Sequence, residues 1–280
     1  MAFSPSYLPT QTLFSVVFVI FTTFILLLAS EGKAQHTDYL FDINNFTKLD
    51  PTKFTLQGSA RILRDGVLSL TDEPKKVGRI LYSDPIQIWN KYTGAVANFE
   101  TTISFVIKND TGADFPADGL IFFLAPKKQV ENIGNKTYIG GLLGIVDLHT
   151  ALNQFVGVEF DNFVNDWDHN YSHVGIDVNS LTSLATKPWT TNNGSLHEVR
   201  IVYDAATRTL SATSIDDRNE FFFVDQVINL KDVLPDTITI GISAAIDEGR
   251  QLHHIHSWRF HSRFESTPNI NNNNHLVSYA

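Results

Sequence analysis

Glu159, Asp161, Asn165, Asp168 and His173 fall within one short stretch, and their types suit metal coordination. An apolar run of Phe155, Val156, Val158 and Phe160 carries Glu159 and Asp161 two residues apart. A strand there projects both carboxylates from one face. Asn165, Asp168 and His173 follow in a polar loop, and a second strand-like run, His173-Val174-Gly175-Ile176-Asp177-Val178, begins on the histidine. Carboxylate, amide and backbone carbonyl oxygens suit a hard ion such as Ca²⁺, whereas an imidazole nitrogen suits a transition metal such as Mn²⁺. Two ions sharing Asp161 and Asp168 is the economical reading. The alternative is a turn, since Asp and Asn populate loops through local hydrogen bonds. The stretch also lacks the glycine placement of an EF-hand. On spacing alone both readings stand.

The elements that must position these residues are strands. No stretch shows a sustained helical period, while β-patterned runs recur at 54–70, 96–107, 120–124, 155–160, 199–203, 221–224 and 238–242. Turn signals such as Arg64-Asp65-Gly66, Asp84-Pro85, Asn193-Gly194 and Leu234-Pro235-Asp236 separate them. Beyond the leader, about 245 residues suit one large all-β domain, a size at which a sandwich or barrel buries a sizeable core.

The metal-ligand stretch resembles the signature of the legume lectins, Val-x-Val-Glu-Phe-Asp-Thr-Phe-x-Asn, then Trp-Asp-Pro, then His-x-Gly-Ile-Asp-Val-Asn-Ser. This chain reads Val156-Gly157-Val158-Glu159-Phe160-Asp161-Asn162-Phe163-Val164-Asn165, then Trp167-Asp168-His169, then His173-Val174-Gly175-Ile176-Asp177-Val178-Asn179-Ser180. Ala117-Asp118-Gly119 through Ala125-Pro126 is similar to the family's Ala-Asp-Gly-x-x-Phe-Phe-x-Ala-Pro. Gly140-Gly141-Leu142-Leu143-Gly144 is similar to its Gly-Gly-x-Leu-Gly loop. Ile242 to Ala245 and His256 to Phe260 resemble its closing strands, so the likeness spans residues 38 to 266.

The resemblance implies an all-β jelly-roll sandwich with a curved front sheet, a flat back sheet and a small connecting sheet. It implies a metal site of Glu159, Asp161, the Phe163 carbonyl, Asn165, Asp168 and His173, holding Ca²⁺ and Mn²⁺. It also implies a sugar site. Asp118, after a cis peptide from Ala117, accepts from two adjacent hydroxyls, Asn165 and the Gly141 N–H donate, and the Phe163 ring stacks on the sugar. Calcium positions Asn165 directly and braces Asp118 through water, so the metals preorganise the site and catalyse nothing. The specificity loop contributes Glu248 and Gly249. There mannose/glucose members often read Gly-Ala-Glu, and this chain reads Asp247-Glu248-Gly249, then Arg250-Gln251. His169 replaces the proline after Trp167-Asp168. His253-His254-x-His256 suggests a further metal less simply than it fits an alternating strand.

Residues 1–34 read as a signal peptide, with Leu13 to Ala29 almost wholly apolar and small residues at Gly32 and Ala34, although the first residues carry no Lys or Arg. Secretion, or delivery to the vacuole along the same route, follows, with residues 35–267 as the binding domain and 268–280 as a disordered tail. There is no cysteine, so this oxidising route is used without a disulfide. Sequons at Asn45, Asn109, Asn135, Asn170 and Asn193 are candidate glycan acceptors. A net charge of −9 argues against nucleic acid or anionic membrane as partners.

Sandwich-fold glycoside hydrolases resemble lectins and carry a Glu-x-Asp pair with a further Glu, but Phe163 and Val164 stand where that Glu belongs. A storage or defence relative with lost sugar binding, of the arcelin or amylase-inhibitor kind, is the alternative that the changed loop at 247–249 leaves open. The expectation is a secreted Ca²⁺- and Mn²⁺-dependent lectin of mannose/glucose type, without catalysis. From the resemblance alone it is a homodimer or higher homo-oligomer.

Overall fold

The computed structural model describes residues 38–109, 116–131, 139–146, 154–190, 194–215 and 221–264. In chain order its strands are β1 (Tyr39–Ile43), β2 (Phe54–Gly58), β3 (Arg61–Ile62), β4 (Leu68–Thr71), β5 (Lys76–Tyr82) and β6 (Ile86–Gln87). Then come β7 (Asn98–Asn109), β8 (Gly119–Ala125), β9 (Val156–Asp161), β10 (His173–Val178) and β11 (Ala185–Pro188). The last are β12 (Leu196–Asp204), β13 (Thr209–Ser214), β14 (Phe223–Val227), β15 (Thr237–Ile246) and β16 (Gln251–Arg263). Two short helices, α1 (Lys127–Glu131) and α2 (Leu230–Val233), cap loops.

The strands form two antiparallel sheets, the all-β jelly-roll sandwich expected from the sequence. The back sheet runs β14-β13-β12-β7-β16-β4-β3, with β1 also paired to β16. The front sheet runs β11-β10-β9-β8-β15-β5-β2, with β6 also paired to β15. Burial alternates along β7 and β12, so the back sheet turns one face to the core and one to solvent. Strands β8 and β9 are buried at every position. Leu120, Phe122, Leu124, Val158 and Phe160 join the core between the sheets, while Ile121, Phe123 and Ala125 join a second cluster with Leu143, Ile145 and Phe155. Apolar side chains on both faces explain why these strands read as unbroken hydrophobic runs.

One expected run is divided. Residues 54–70 make three strands because the chain turns at Gly58 and again at Asp65-Gly66. Both glycines hold a left-handed backbone, at φ 64° and 89°, that a side chain disfavours. The signal segment, the tail and the sequons Asn135 and Asn193 lie outside the described residues.

Candidate functional site

The pairing of three neighbouring strands assembles the site. Asp161 on β9 lies opposite Gly119 of β8 on one side and His173 of β10 on the other. Two residues back, Glu159 pairs with Gly175, where a Cβ would stand 2.8 Å from Glu159 Oε1 and 2.0 Å from Ser183 Oγ. Glycine at 175 therefore clears the space that the Glu159 carboxylate fills.

Glu159, Asp161 and His173 are buried and can each offer one ligand atom, all within 4.8 Å of one another. His173 Nε2 lies 3.0 Å from Glu159 Oε1. Ser183 Oγ is 2.6 Å from the same oxygen and 2.7 Å from Asp177 Oδ1. The loop beyond is folded by its own acids: Phe163 N–H donates to Asp161 Oδ1 at 2.7 Å, and Asn165 N–H donates to Asp168 Oδ2 at 2.7 Å.

The electrostatics are those of acids taken out of water with only partial compensation from hydrogen bonds. Burial, followed by the Glu159 charge, pushes the Asp161 and Asp177 carboxyls well above their usual range, and burial raises Asp168. Burial also disfavours the His173 cation, but hydrogen bonding to Glu159 and its charge outweigh this and raise its pKa. Asn165 Oδ1 and Asp177 Oδ2 are buried without a hydrogen-bond partner among the described residues. Carboxylates, an orphaned amide oxygen and one imidazole are a donor set that fits divalent cations, with oxygens for a hard ion and nitrogen for a transition metal.

The sugar-site candidates gather at the end of β8. The peptide between Ala117 and Asp118 is cis, and Asp118 is 3 % exposed, with burial pushing its carboxyl up to about 6. Asp118 Oδ2 accepts from the Asp247 N–H at 2.8 Å. A Cβ on Gly141 would lie 2.2 Å from Asn165 Oδ1, so glycine there lets the turn close on the Asn165 side-chain amide. One built on Gly140 would lie 3.7 Å from both Asp118 Oδ1 and Asp247 Oδ2. Asp118, Gly140, Gly141, Asn165 and Asp247 are thus neighbours. Phe163, two residues before Asn165, is half-buried, Gly249 packs on Ala117, and Glu248 is exposed.

Sequence reasoning missed Asp247 as a site residue, along with the buried pair Asp177 and Ser183. The run His173 to Val178 did carry a signal for Asp177, an acid two and four residues beyond Gly175 and His173 and so on the same strand face as the cluster. Among the remaining candidates, Asn45 Oδ1 accepts from the Thr47 N–H at 2.9 Å, Asn109 Oδ1 accepts from Gln251 Nε2 at 2.8 Å, and Asn170 is exposed. A glycan on the amide nitrogen leaves either oxygen free to accept. His253 is buried with Nδ1 2.6 Å from Thr71 Oγ1, while His254 and His256 are less buried, as an alternating strand requires.

The family described as the legume lectin domain matches residues 38–276. A nodule lectin of Pisum sativum is 41% identical over 277 residues, covering 95% of this chain and 97% of its own. A galactose-binding lectin of Arachis hypogaea is 40% identical over 265 residues, covering 91% and 95%. Among solved structures, peanut lectin with a nonapeptide superposes with a TM-score of 0.76 at 39% identity, over 82% of this chain and all of that one. Winged bean acidic lectin complexed with methyl-α-D-galactose gives 0.74 at 33% identity, with the same coverage.

Proposed function

The chain belongs to the legume lectin family, and from that premise we propose a secreted lectin whose sugar site is held in shape by Ca²⁺ and Mn²⁺. It is a carbohydrate-binding protein of a non-enzymatic family. In agreement, Phe163 and Val164 leave the Glu159–Asp161 pair without the further carboxylate that hydrolysis needs.

One observation carries the reading: Asp161 sits in register between Gly119, which follows the sugar acceptor Asp118, and His173 of the ligand cluster. On this reading Glu159, Asp161, Asp168 and His173 hold Mn²⁺, and Asp161, Asn165, Asp168 and the Phe163 carbonyl hold Ca²⁺. When bound, the ions would supply fixed positive charge beside the buried carboxylates, and the residues holding them would be set in place before a sugar arrives. Asp118 then accepts from sugar hydroxyls, Gly141 N–H and Asn165 donate, and Phe163 stacks on the ring. Glu248 and Gly249 line the rim.

The sugar is of mannose/glucose type on the first reading. Galactose is the second, favoured by the departure of Asp247-Glu248-Gly249 from Gly-Ala-Glu and by relatives that bind galactose. Assembly as a homodimer or higher homo-oligomer is supported by the exposed edge strand β1, where Leu40 is 70% exposed. The apolar leader supports passage through the secretory route to the outside or the vacuole.

A glycan array probed with and without a chelator tests this reading. Binding to mannose, glucose or galactose glycans that disappears with the chelator is expected, with no reducing sugar released on long incubation. Binding that survives metal removal, or turnover lost in Glu159→Gln, overturns it.

A further inference from the structure

Asn162 stands where the resembled pattern has threonine, between the ligand positions Asp161 and Phe163. It is 5% exposed. Its N–H donates to the Asp118 carbonyl at 2.8 Å, and its carbonyl accepts from Ser172 Oγ at 3.1 Å. Its Nδ2 donates to Gln251 Oε1 at 3.3 Å. Gln251 is 1% exposed and hands the chain on, since its Nε2 donates to Asn109 Oδ1 at 2.8 Å.

These bonds span the loop that faces the sugar. Gln251 opens β16 and directly follows residues 247–250, so it is that loop's far anchor. The near anchor is Asp247, whose N–H donates to Asp118 Oδ2 and whose carbonyl accepts from the Lys75 N–H at 2.8 Å. The connections close a ring, from the Asp118 carboxylate through Asp247, along the loop to Gln251, across to Asn162, and back to the Asp118 carbonyl. One end of the loop is fixed to the sugar acceptor and the other to the residue next to the calcium ligands.

We infer that Asn162 and Gln251 are positioning residues for sugar discrimination, holding the 247–250 loop at a set distance from Asp118. The inference rests on the carbohydrate-binding reading above and adds the determinant of which epimer is accepted. Neither side chain is among the proposed sugar contacts or metal ligands. Threonine at 162 lacks the amide that reaches Gln251, and leaves a buried acceptor without its donor. Without that link the loop's far end is held through Asn109 alone and is no longer tied to Asp118 by way of Asn162, and epimers that differ by the direction of one hydroxyl are then told apart less well.

The test is titration calorimetry of the metal-loaded protein with mannose, glucose and galactose, on the parent, Asn162→Thr, Gln251→Leu and the double variant. The parent's ratio between preferred and disfavoured epimers is expected to fall about fivefold in each single variant, the worth of one net hydrogen bond. The double variant should fall no further, because both changes cut the same link. Metal content should match the parent throughout, and the exchanged pair Asn162→Gln with Gln251→Asn, which keeps donor, acceptor and total reach, should restore the ratio. An unchanged ratio in Gln251→Leu, additive losses in the double variant, or a loss that tracks falling metal content overturns the assignment. A parent that binds no sugar overturns the carbohydrate reading beneath it.

Discussion

Asp161 and His173 face each other directly across β9 and β10, and Glu159 reaches His173 Nε2 from two residues away on the same strand. The candidate metal cluster is therefore written into strand pairing. Its geometry is as stiff as the sheet, and Asp161 is the residue on which both proposed ions depend.

Asp161→Ala should lose both metals and sugar binding together. The parent, by contrast, should gain thermal stability with added metal, by about 2.7 kcal/mol at a hundredfold excess over Kd. Elemental analysis and melting curves with and without added ions check this. A variant that keeps either ion at parent occupancy sinks the shared-ligand reading.

In chelated protein, stability should fall as pH rises. Asp118, Asp161, Asp168 and Asp177 all have folded pKa values above the ordinary carboxylate value, so the folded chain binds more protons than the unfolded one. His173, also raised, works in the same direction. For Asp118 the window runs from 3.8 to about 6, with a loss on the order of 2 to 3 kcal/mol across it. Bound metal requires deprotonated ligands and so reverses the slope. Urea midpoints from about pH 4 to 7, with and without chelator, should trend in opposite directions. A chelated protein that grows more stable with pH contradicts this account.

Asp118→Asn should weaken sugar binding by about 1.5 to 3 kcal/mol, the worth of a hydrogen bond to a charged acceptor, and leave both metals in place. Calorimetry beside elemental analysis decides. Equal loss of metal would make Asp118 a structural residue.

Gly141→Ala should displace the Asn165 amide, because the added carbon falls 2.2 Å from Asn165 Oδ1. Sugar affinity should drop at least tenfold and calcium affinity with it, while the Glu159 and His173 side of the cluster keeps its ion, since neither residue touches the turn. Separate Ca²⁺ and Mn²⁺ titrations would show the asymmetry. Unaltered calcium binding would mean that Asn165 does not need the close approach of the turn.

The candidate cluster Glu159, Asp161 and His173 could be picked out in the sequence because its members fall on one strand and the start of the next, and their side chains do meet. The fold class was legible too, since alternation in β7 and β12 and the apolar runs of β8 and β9 are local patterns. Asp247 was not, because its role is a backbone N–H given to a carboxylate 129 positions away. Glu248, expected at the sugar rim, is exposed, and its neighbour Asp247 makes the contact with Asp118. Nor could spacing show that Gln251 would reach back to Asn162, a link made only when β16 settles beside the front sheet's end. Residues with chemistry of their own announce themselves, and residues that only hold others in place do not.

Strand β16 starts at the sugar rim with Gln251 and ends at Arg263, where its last residues pair with the edge strand β1. Thirteen residues of extended chain measure about 40 Å. Two copies joined along β1 would thus carry their sugar sites at the outer ends of two rigid rods, with the gap set by strand length and closed to adjustment. Such a pair would read the spacing of glycans on a surface as well as their chemistry, and would grip an array of matching pitch far more firmly than a denser or sparser one.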